Sequence, residues 1–514
     1  MNLLDTEFAF ITDLIRQHAT QEPRRLALME GERQLDYGAL DTLMDRIAAA
    51  LQRDGLQPGD SVAICAAMSI EYAAVFLGAL RAGVAVAPLA PGTTAAGLAR
   101  MVSDAQARLV FTDAANTGIL LEGGLSALPT VLLDDATAIG RTLTDWLAPP
   151  GQQPAPSQLQ PQSPFNIIYS SGTTGQPKGI VQSHGMRWAH VRRGAAFGYG
   201  PQTVALLSTP LYSNTTLVVF FPTLAFGGTV LLLPKFKALD YLQLAEQHRV
   251  THTMLVPVQY QRLLALAEFD SFDLSAFQAK FCTSAPFAAA LKADVVKRWP
   301  GAMVEFYGMT EGGGTCILEA HAVPDKLHTV GRPAEGHDIR LIDDNGAEVR
   351  VGEAGEVVGH SPGMMLGYHG QEEKTREVEW FDATGKRFIR TGDVGRFDAD
   401  GYLTLIDRKK EMIISGGFNI YPSDLEAVLR KHPGVAEAAV VGMPSVQWGE
   451  SPAAFVVCQP GAVIEANELL TWANLRLGKT QRLSSLQFLP ELPRSAIGKV
   501  LRRELRESAP ATSR

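Results

Sequence analysis

The sequence predicts an α/β fold in which helices cover mostly parallel sheets, followed by a small C-terminal α+β domain. Short apolar segments alternate with helical periodicity through most of the first 400 residues, as in residues 41–53 followed by 62–65 and residues 72–82 followed by 84–86. Such alternation is typical of strands and helices that build a parallel sheet. The chain has 514 residues. Because a single hydrophobic core stops growing well below this length, we expect at least two domains.

Two changes in composition indicate where the chain is divided. Residues 149–164 are rich in proline and glutamine and carry no charge, which predicts a linker. Near residue 400, a turn signal at 398–401 is followed by an alternating strand pattern and the charged segment 407–411. We place the domain boundary at this joint, with a large domain of residues 1–407 and a small domain of residues 408–514.

Composition and charge exclude several classes of protein. The net charge of -8 argues against a nucleic-acid-binding surface and against an anionic membrane surface. No apolar run is long enough to span a bilayer, and the N-terminus lacks the layout of a secretory signal. The four cysteines form no Cys-x-x-Cys pair, which favours free thiols in a reducing compartment. We therefore expect a cytoplasmic protein with no membrane span and no nucleic-acid partner.

Residues 169–179, Tyr-Ser-Ser-Gly-Thr-Thr-Gly-Gln-Pro-Lys-Gly, are the most informative segment. They follow an apolar stretch at 165–168 that predicts a buried strand, and Ser183 beyond them is a candidate helix cap. Glycines let backbone amides approach a polyanion, hydroxyls add donors and Lys178 adds charge, so we predict a triphosphate ligand. No hydroxyl follows Lys178, unlike in the common nucleoside-triphosphatase loop. A solvated loop without a ligand is the alternative.

Four further motifs follow in order: Glu305-Phe-Tyr-Gly-Met-Thr-Glu311, Thr391-Gly-Asp393 in a predicted turn, the charged segment 407–410 leading into 412–422, and a Pro-Arg-Ser-x-x-Gly-Lys frame that ends at Lys499. With the loop at 169–179, this set resembles the adenylate-forming superfamily. That group comprises acyl- and aryl-CoA synthetases, firefly luciferase and the adenylation domains of nonribosomal peptide synthetases. The resemblance covers about residues 8–505 and is closest to the carboxylate–CoA ligases.

The resemblance implies a two-step, AMP-forming acid–thiol ligase reaction. A carboxylic acid attacks the α-phosphate of ATP and yields an acyl-adenylate and pyrophosphate. The thiol of CoA then attacks the acyl carbon and expels AMP. The substrates implied are a carboxylic acid, ATP and CoA, with Mg²⁺ as the metal, in fatty acid or aromatic acid metabolism. A homodimer is compatible with the resemblance.

The resemblance also implies roles for individual residues in the first step. The implied ATP-binding residues are Ser170, Ser171, Gly172, Thr173, Thr174, Gly175, Lys178, Ser284, Ala285, Pro286, Tyr307, Gly308, Asp393 and Arg408. Among them Tyr307 stacks on adenine, Asp393 and Arg408 fix the ribose, and Lys178 holds the β- and γ-phosphates. The catalytic group comprises Thr310 at the α-phosphate, Glu311 as the magnesium ligand, and Lys499.

Each of these residues also has a simpler interpretation. A Thr-Glu pair is usually a helix cap, a solitary tyrosine is usually core packing, and a Thr-Gly-Asp segment alone is a turn. A lysine beside Arg502 and Arg503 in a polar tail is usually solvated. The frame around Lys499 favours the catalytic role, and Gly498 would let that backbone turn tightly.

For the second step, the resemblance implies that the small domain is mobile and swings about a hinge at Lys410. The swing would bring Gly416 and Gly417 to the acyl-adenylate, where the absence of a side chain leaves a tunnel for pantetheine. Trp448 either packs on the CoA nucleotide or anchors a domain surface. The segment 478–482 departs from the basic, proline-containing stretch of relatives.

The candidate acid pocket consists of Tyr212, Ser213, Asn214, Tyr260, Gly312, Gly313 and Gly314. Ser213 and Asn214 follow Pro-Leu-Tyr where related ligases often carry a histidine. The three glycines either remove wall volume, which suits a bulkier acyl group, or form a flexible loop. No cationic cluster is evident among the candidate pocket segments, so we expect a monocarboxylic acid with an apolar aliphatic or aromatic body, rather than a dicarboxylate.

Two other functions remain open from the sequence. A stand-alone adenylation enzyme that loads a carrier protein would share the same motifs. A nucleotide-binding regulator without turnover is the alternative from another class, and the presence of Glu311, Asp393 and Lys499 together argues against it.

Overall fold

A computed structural model describes residues 3–134, 140–170, 178–409, 411–415, 418–445, 448–478, 481–495 and 498–508. The helices in these residues are α1 Ile11–Gln21, α2 Tyr37–Arg53, α3 Ile70–Arg81, α4 Ala95–Asp104, α5 Thr117–Glu122, α6 Leu143–Trp146, α7 His184–Gly194, α8 Asn214–Ala225, α9 Ala238–Gln247, α10 Pro257–Leu264, α11 Ala289–Arg298, α12 Glu372–Glu377, α13 Pro422–Leu429, α14 Ala466–Asn474 and α15 Arg502–Ser508. None of the described helices is long and apolar enough to cross a membrane.

The strands of the same residues are β1 Leu26–Glu30, β2 Arg33–Asp36, β3 Ser61–Cys65, β4 Ala85–Pro88, β5 Ala107–Thr112, β6 Thr130–Leu132, β7 Arg141–Thr142, β8 Pro164–Ser170, β9 Lys178–Ser183, β10 Val204–Leu207, β11 Thr229–Leu232, β12 His252–Leu255, β13 Ala279–Cys282, β14 Ala302–Gly308, β15 Thr315–Glu319, β16 Arg332–Pro333, β17 Asp338–Ile342, β18 Gly355–His360, β19 Gly367–Tyr368, β20 Glu379–Phe381, β21 Arg387–Phe397, β22 Leu403–Arg408, β23 Ile413–Ser415, β24 Phe418–Ile420, β25 Val435–Ser445, β26 Gly449–Cys458 and β27 Ser485–Phe488.

The chain divides into two compact units. The first consists of Met1–His328, Pro333–Asp338 and Gly359–Ile389, and the second of Thr329–Arg332, Ile339–Val358 and Arg390–Arg514. The functional boundary at 407/408, which concerns the movement of the C-terminal part, stays a prediction.

Two mostly parallel sheets form the first unit. In one, the strand order is β15-β14-β13-β12-β10-β11-β1-β2, with antiparallel pairing only at its two ends within this path. In the other, the order is β19-β9-β8-β4-β3-β5-β6-β7, parallel from β8 to β7 and antiparallel between β8, β9 and β19. The predicted α/β fold with helix-covered, mostly parallel sheets is confirmed.

The largest hydrophobic cluster of the first unit surrounds helix α3. This helix is buried from Ile70 to Leu80 except at Glu71, and it packs against α2. The cluster also takes in Val62 and Phe165 from one sheet and Leu207 from the other. Because apolar side chains from both sheets enter one core, the two sheets and the helices around α3 form a single packed body.

The second unit contains a mostly antiparallel region and a C-terminal α+β region. Strand β22 pairs antiparallel with β21. In the C-terminal region the strand order is β24-β23-β26-β25, with β27 parallel to β26. Helices α13 and α14 contribute to one apolar cluster of that sheet, and α15 contributes to another. The expectation of a small C-terminal α+β domain is confirmed.

The close approach of α2 and α3 depends on Gly78. A Cβ at this position would lie 2.6 Å from the Cβ of Ile47 and 3.2 Å from the carbonyl oxygen of Met44. We predict that Gly78→Ala lowers the free energy of unfolding by about 1–3 kcal/mol, because the helices must separate.

The matched control is Gly118→Ala in α5, where an added Cβ meets nothing within 4 Å. This change should leave the stability unchanged or raise it by up to about 1 kcal/mol through helix propensity. The check is the thermal unfolding midpoint of both variants. Equal midpoints would contradict the packing argument.

Candidate functional site

The two ends of the predicted phosphate loop are the facing ends of an antiparallel strand pair. Tyr169 lies opposite Gly179, and Ser170 lies opposite Lys178, in the register of β8 and β9. The loop between them therefore joins two hydrogen-bonded strands, and it does not lead from a strand into a helix. Helix α7 begins only after β9, where the Ser183 hydroxyl accepts from the Met186 amide, as predicted for a cap. Outside the described residues lie Ser171, Gly172, Thr173, Thr174 and Gly175.

Tyr169 is anchored at the start of this loop. Its hydroxyl donates to Oδ2 of Asp104 at 2.7 Å, and the amide of Gln371 donates to Oδ1 of the same carboxylate at 3.2 Å. Burial and the neighbouring Asp104 raise the pKa of Tyr169, so the phenol stays protonated and remains a donor. The carboxylate thus fixes the strand end from which the loop departs.

Tyr368 connects the predicted phosphate lysine with the predicted magnesium ligand. The Nζ atom of Lys178 lies 4.9 Å from the centroid of the Tyr368 ring. The hydroxyl of that ring donates to Oε1 of Glu311 at 2.9 Å. Burial and Glu311 raise the pKa of the Tyr368 phenol. Sequence reasoning missed Tyr368 because it lies far along the chain, in strand β19, which reaches the loop by pairing with β9.

A buried arginine joins the strands of the loop to the turn that carries Thr310. Arg187 donates to Oδ1 of Asn166 from Nε at 3.1 Å and from Nη2 at 3.0 Å, and it also donates to Oε1 of Gln182. The Gln182 amide in turn donates to the carbonyl oxygen of Thr310 at 2.8 Å. Burial lowers the pKa of Arg187 to about 9, which leaves it mostly charged at neutral pH. The network fixes the Thr310 backbone relative to β9.

Thr310 and Glu311 lie in a turn between β14 and β15, so they do not cap a helix. The turn is ordered by the Met365 amide, which donates to the Glu311 carbonyl at 2.8 Å, and by the Ser361 hydroxyl, which donates to the Gly312 carbonyl at 2.6 Å. Tyr307 and Gly308 lie at the end of β14, opposite Cys316 and Thr315, and Tyr307 is only partly buried.

Two of the glycines after Glu311 make room for backbone. Gly312 has φ +74°, and a Cβ there would overlap the carbonyl oxygen of Gly363. A Cβ on Gly313 would lie 2.8 Å from the Cβ of Ile389. The interpretation that these two glycines enlarge a pocket is therefore wrong, because the space of the missing side chains is occupied by neighbouring protein atoms. Gly314 also has a left-handed backbone, with φ +93°.

A hydrogen bond connects the segment predicted to bind the substrate acid with the segment predicted to contact adenine. Ser213 caps α8, which starts at Asn214, by accepting from the Thr215 amide at 3.3 Å. The Thr215 hydroxyl lies 2.5 Å from that of Ser284. Ser284 has φ +81°, a strained conformation for a residue with a side chain. Strained backbone positions cluster at functional sites. The conformation of Ser284 is therefore compatible with a binding role for the segment of Ser284, Ala285 and Pro286.

Tyr212 and Tyr260 have different environments. Tyr212 is partly buried, just before α8. Tyr260 is fully buried, its hydroxyl donates to the Phe281 carbonyl at 2.9 Å, and its ring stacks on Phe287 at a centroid distance of 5.5 Å. This is the environment of a core side chain.

In the second unit, Asp393 and Arg408 form an ion pair across β21 and β22. They lie opposite each other in the strand register, and Nε of Arg408 donates to Oδ1 of Asp393 at 3.0 Å. The expectation that Thr391-Gly-Asp393 forms a turn is wrong, because the segment belongs to β21. Gly392 has φ +73°, so the strand accommodates a left-handed residue at a position where the sequence suggested chain reversal.

Lys499 follows a tight turn made by Gly498, which has φ +75° as expected. The Ser495 amide donates to the Lys499 carbonyl at 2.8 Å and closes the turn. The Lys499 side chain is largely surrounded by protein, so it is not a freely solvated tail lysine. Burial is the main cause that lowers the pKa of Lys499, and the charge of Arg408 lowers it further. The carboxylates of Glu411 and Asp393 oppose this shift. The Lys499 ammonium therefore lies within electrostatic reach of the Asp393–Arg408 pair.

The predicted residues of the second step lie mostly outside the described part of the chain. Lys410, Gly416 and Gly417 belong to this group. Trp448 is described, and its side chain is 50% exposed, with its amide donating to the Ser445 hydroxyl at 3.3 Å. A half-exposed indole is available to a partner or a ligand.

Comparison with known families identifies the class of protein. Residues 15–369 match the AMP-binding enzyme family, and residues 424–499 match the AMP-binding enzyme C-terminal domain. The chain therefore belongs to the AMP-binding enzyme family, which is the adenylate-forming superfamily predicted from the motifs. Both matched segments lie in the expected order, with the C-terminal match ending at Lys499.

Individual relatives cover nearly the whole chain. The feruloyl-CoA synthase of Amycolatopsis sp is 34% identical over 502 residues, which are 95% of this chain and 97% of that protein. The fatty acid–[acyl-carrier-protein] ligase ScoC of Streptomyces coeruleorubidus is 31% identical, over 95% of this chain and 94% of that protein. The crystal structure of ATP-bound MatB from Rhodopseudomonas palustris is similar with a TM-score of 0.87 and 29% identity, over 97% of this chain and 98% of that one.

The buried arginine network generates a stability prediction. Arg187→Met should lower the free energy of unfolding by about 3 kcal/mol, because the amide oxygens of Asn166 and Gln182 lose charged donors inside the protein. Chemical denaturation of the purified protein measures this.

The double variant Arg187→Met/Gln182→Leu is the control. It removes a donor and an acceptor together, so its loss should be smaller than the sum of the two single losses. Strict additivity of the two changes would contradict a direct energetic link between the side chains.

Proposed function

We propose that this protein is an ATP-dependent carboxylate–CoA ligase that forms AMP. The observation that carries the proposal is the placement of Lys499: a largely buried ammonium on a glycine turn, within electrostatic reach of the Asp393–Arg408 pair. In an adenylate-forming enzyme those three residues act on the α-phosphate and the ribose. The match of both family segments along the chain supports the same reaction.

In the first step, a carboxylate oxygen of the acid attacks the α-phosphorus of ATP, and pyrophosphate leaves. Lys499 stabilises the negative charge that builds on the transferring group, and Thr310 donates to the α-phosphate. The loop with Thr173, Thr174 and Lys178 holds the leaving pyrophosphate. Positioning and charge neutralisation supply most of the catalysis in this kind of transfer.

The contacts to the nucleotide follow the roles that the family resemblance implies for each residue. Tyr307, beside Gly308, stacks on adenine, with Ser284, Ala285 and Pro286 as the opposite wall. Asp393 accepts from the ribose hydroxyls, and Arg408 fixes its carboxylate by the ion pair at 3.0 Å.

Mg²⁺ fits the residues around Glu311. In proteins that act on nucleotides, Mg²⁺ usually takes one or two carboxylate oxygens and completes its shell with phosphate oxygens and water. Glu311 offers one carboxylate, oriented by the Tyr368 hydroxyl. Among the described residues, no group of three or more His, Cys, Asp or Glu side chains could hold a metal ion. Bound there, Mg²⁺ would neutralise phosphate charge.

In the second step, the CoA thiol attacks the acyl carbon, the thioester bond forms, and AMP leaves with the oxygen that bridged it to the acyl group. We propose that the C-terminal part turns about Lys410 between the steps and presents Gly416 and Gly417 to the pantetheine chain. Trp448 offers its half-exposed ring to the CoA nucleotide. The similarity to a feruloyl-CoA synthase supports CoA as the acceptor.

For the acid we propose a body that is apolar, aliphatic or aromatic, bound near Tyr212, Ser213, Asn214 and the turn of Gly312, Gly313 and Gly314. The relatives include a feruloyl-CoA synthase and a fatty acid ligase, and both an aromatic ring and a fatty acyl chain are apolar. Carrier-protein loading is the second candidate, favoured by the similarity to ScoC. Turnover with CoA and with a phosphopantetheinyl carrier protein, compared at equal thiol concentration, separates the two.

Lys499→Ala should reduce acyl-adenylate formation by about 10²–10³-fold, because the transferring group loses its cation. The same variant should still convert a supplied acyl-adenylate and CoA to the thioester at a rate close to that of the parent. ATP–pyrophosphate exchange measures the first activity, and AMP release from the supplied adenylate measures the second. Parallel loss of both activities would rule out a role confined to the first step.

Gly417→Leu should show the opposite pattern. Pyrophosphate exchange should persist, while thioester formation falls because the leucine side chain fills the pantetheine path. Lys410→Pro should likewise impair the second activity selectively, through the hinge. If Gly417→Leu lowers both activities equally, the assignment of Gly417 to the thiol path is wrong.

A further inference from the structure

One face of α7 runs along the turn that follows Glu311. Met186, His190 and Arg193 are spaced by four and three residues, so they share a face of the helix. The Met186 Cε atom lies 3.0 Å from where a Cβ of Gly312 would be, and Nε2 of His190 lies 3.9 Å from the corresponding position at Gly363. This face is therefore next to the turn of the predicted acid pocket, to which no sequence motif assigned α7.

Arg193 is a half-buried charged group without a counter-ion among the described residues. Burial lowers the pKa of its guanidinium, and no carboxylate opposes this effect. Among the described residues, none forms an ion pair with Arg193. Burying an uncompensated charge costs free energy, unlike at Arg187, where Asn166 and Gln182 supply acceptors. An oxygen acceptor would therefore stabilise this guanidinium, and none of the described residues supplies one.

Two imidazoles next to Arg193 add hydrogen-bond donors. Nδ1 of His337 accepts from the Thr315 amide at 2.9 Å, so the neutral ring carries its proton on Nε2. Nδ1 of His190 is buried without a hydrogen-bond partner among the described residues. Burial is the main cause that lowers the pKa of both rings, and the charge of Arg193 lowers it further. The pKa of His337 falls to about 4. His360 adds to the shift at His337.

Although protein surrounds them, these side chains keep part of their surface accessible. His190, Arg193 and His337 are all half-buried and not closed off. A small ligand can reach side chains that protein surrounds and that remain partly accessible. The backbone of Thr315, which His337 contacts, is only four residues beyond Glu311. The accessible surface of these side chains therefore adjoins the turn at which we propose that the acid is activated.

We propose that Arg193, His190 and His337 bind an oxygen at the far end of the substrate acid, away from the carboxylate that is activated. The group recognised is a hydrogen-bond-accepting or anionic oxygen, as in a second carboxylate or a phenolic hydroxyl. This inference rests on the proposed acid-activating function and refines its substrate class, from a purely apolar acid to one with a polar terminus.

The test is ATP–pyrophosphate exchange with two matched series of acids. One series is cinnamic acid with its 4-hydroxy and 4-carboxy derivatives, and the other is hexanoic acid with 6-hydroxyhexanoic and heptanedioic acids. The best oxygen-bearing acid should exceed its unsubstituted parent in kcat/KM by about tenfold or more, because the parent leaves the buried donors unpaired. A preference for the carboxy acids identifies a second carboxylate, and a preference for the hydroxy acids identifies a hydroxyl.

Arg193→Met should reduce that preference to less than about threefold by raising KM for the oxygen-bearing acid, with little change for the parent acid. Arg192→Met is the matched control, since Arg192 is exposed on the same last turn of α7. It should retain the full preference, which also separates a pocket contact from a general effect of positive charge at the helix C-terminus.

The possible results distinguish a failure of the proposed function from a failure of this inference. Exchange with none of the acids contradicts the proposed function itself. Exchange without any advantage for the oxygen-bearing acids in the parent protein overturns this inference and leaves the proposed function intact, and this comparison needs no variant to fold. An undiminished advantage in a folded Arg193→Met protein overturns the inference as well.

Discussion

The buried guanidinium of Arg187 is the constraint on which the rest of the first unit's site depends. It joins Asn166 of β8 to Gln182 of β9, and Gln182 holds the carbonyl of Thr310. The acceptors at Nε and Nη2 offset part of the cost of burying this charge, so the two strands and the turn are held in one relative arrangement. The same strands frame the loop at 171–177, and the same turn leads to Glu311. A single network thereby fixes both ends of the proposed triphosphate site.

Close backbone packing supports this arrangement from the other side of the turn. Gly312 and Gly313 meet the segment of Gly359 and Gly363 with no room for side chains. Tyr368, a few residues further along, reaches both Lys178 and Glu311. In the second unit, the Asp393–Arg408 pair and Lys499 form a separate charged group.

Much of the fold could be predicted from the sequence, because local periodicity carries it. Strand β8 and the cap at Ser183 follow directly from apolar runs and side-chain chemistry. The turn expected at Thr391-Gly-Asp393 was wrong, since strand pairing to β22 outweighs the local turn preference of glycine and aspartate. The sequence could not show why glycine is needed after Glu311, because the segment that packs against these glycines lies about 50 residues away in the chain.

The parts of the site that the sequence missed depend on contacts distant in the chain. Tyr368 enters through the pairing of β19 with β9, and His337 enters through the amide of Thr315. In the sequence Arg193 is one of two adjacent arginines, and only its burial in the structure distinguishes it from exposed Arg192. The hinge at Lys410 and the thiol path at Gly416 and Gly417 stay predictions from resemblance.

The central claim, that the acid is activated through an acyl-adenylate, is tested most directly by isotope transfer. The enzyme is given ATP, CoA and a carboxylic acid whose carboxyl oxygens are ¹⁸O, and the products are analysed by mass spectrometry. Because an acid oxygen attacks the α-phosphorus and stays there when the thiol expels AMP, a single ¹⁸O atom should appear in AMP. Label in inorganic phosphate, or unlabelled AMP formed together with the thioester, would contradict the account.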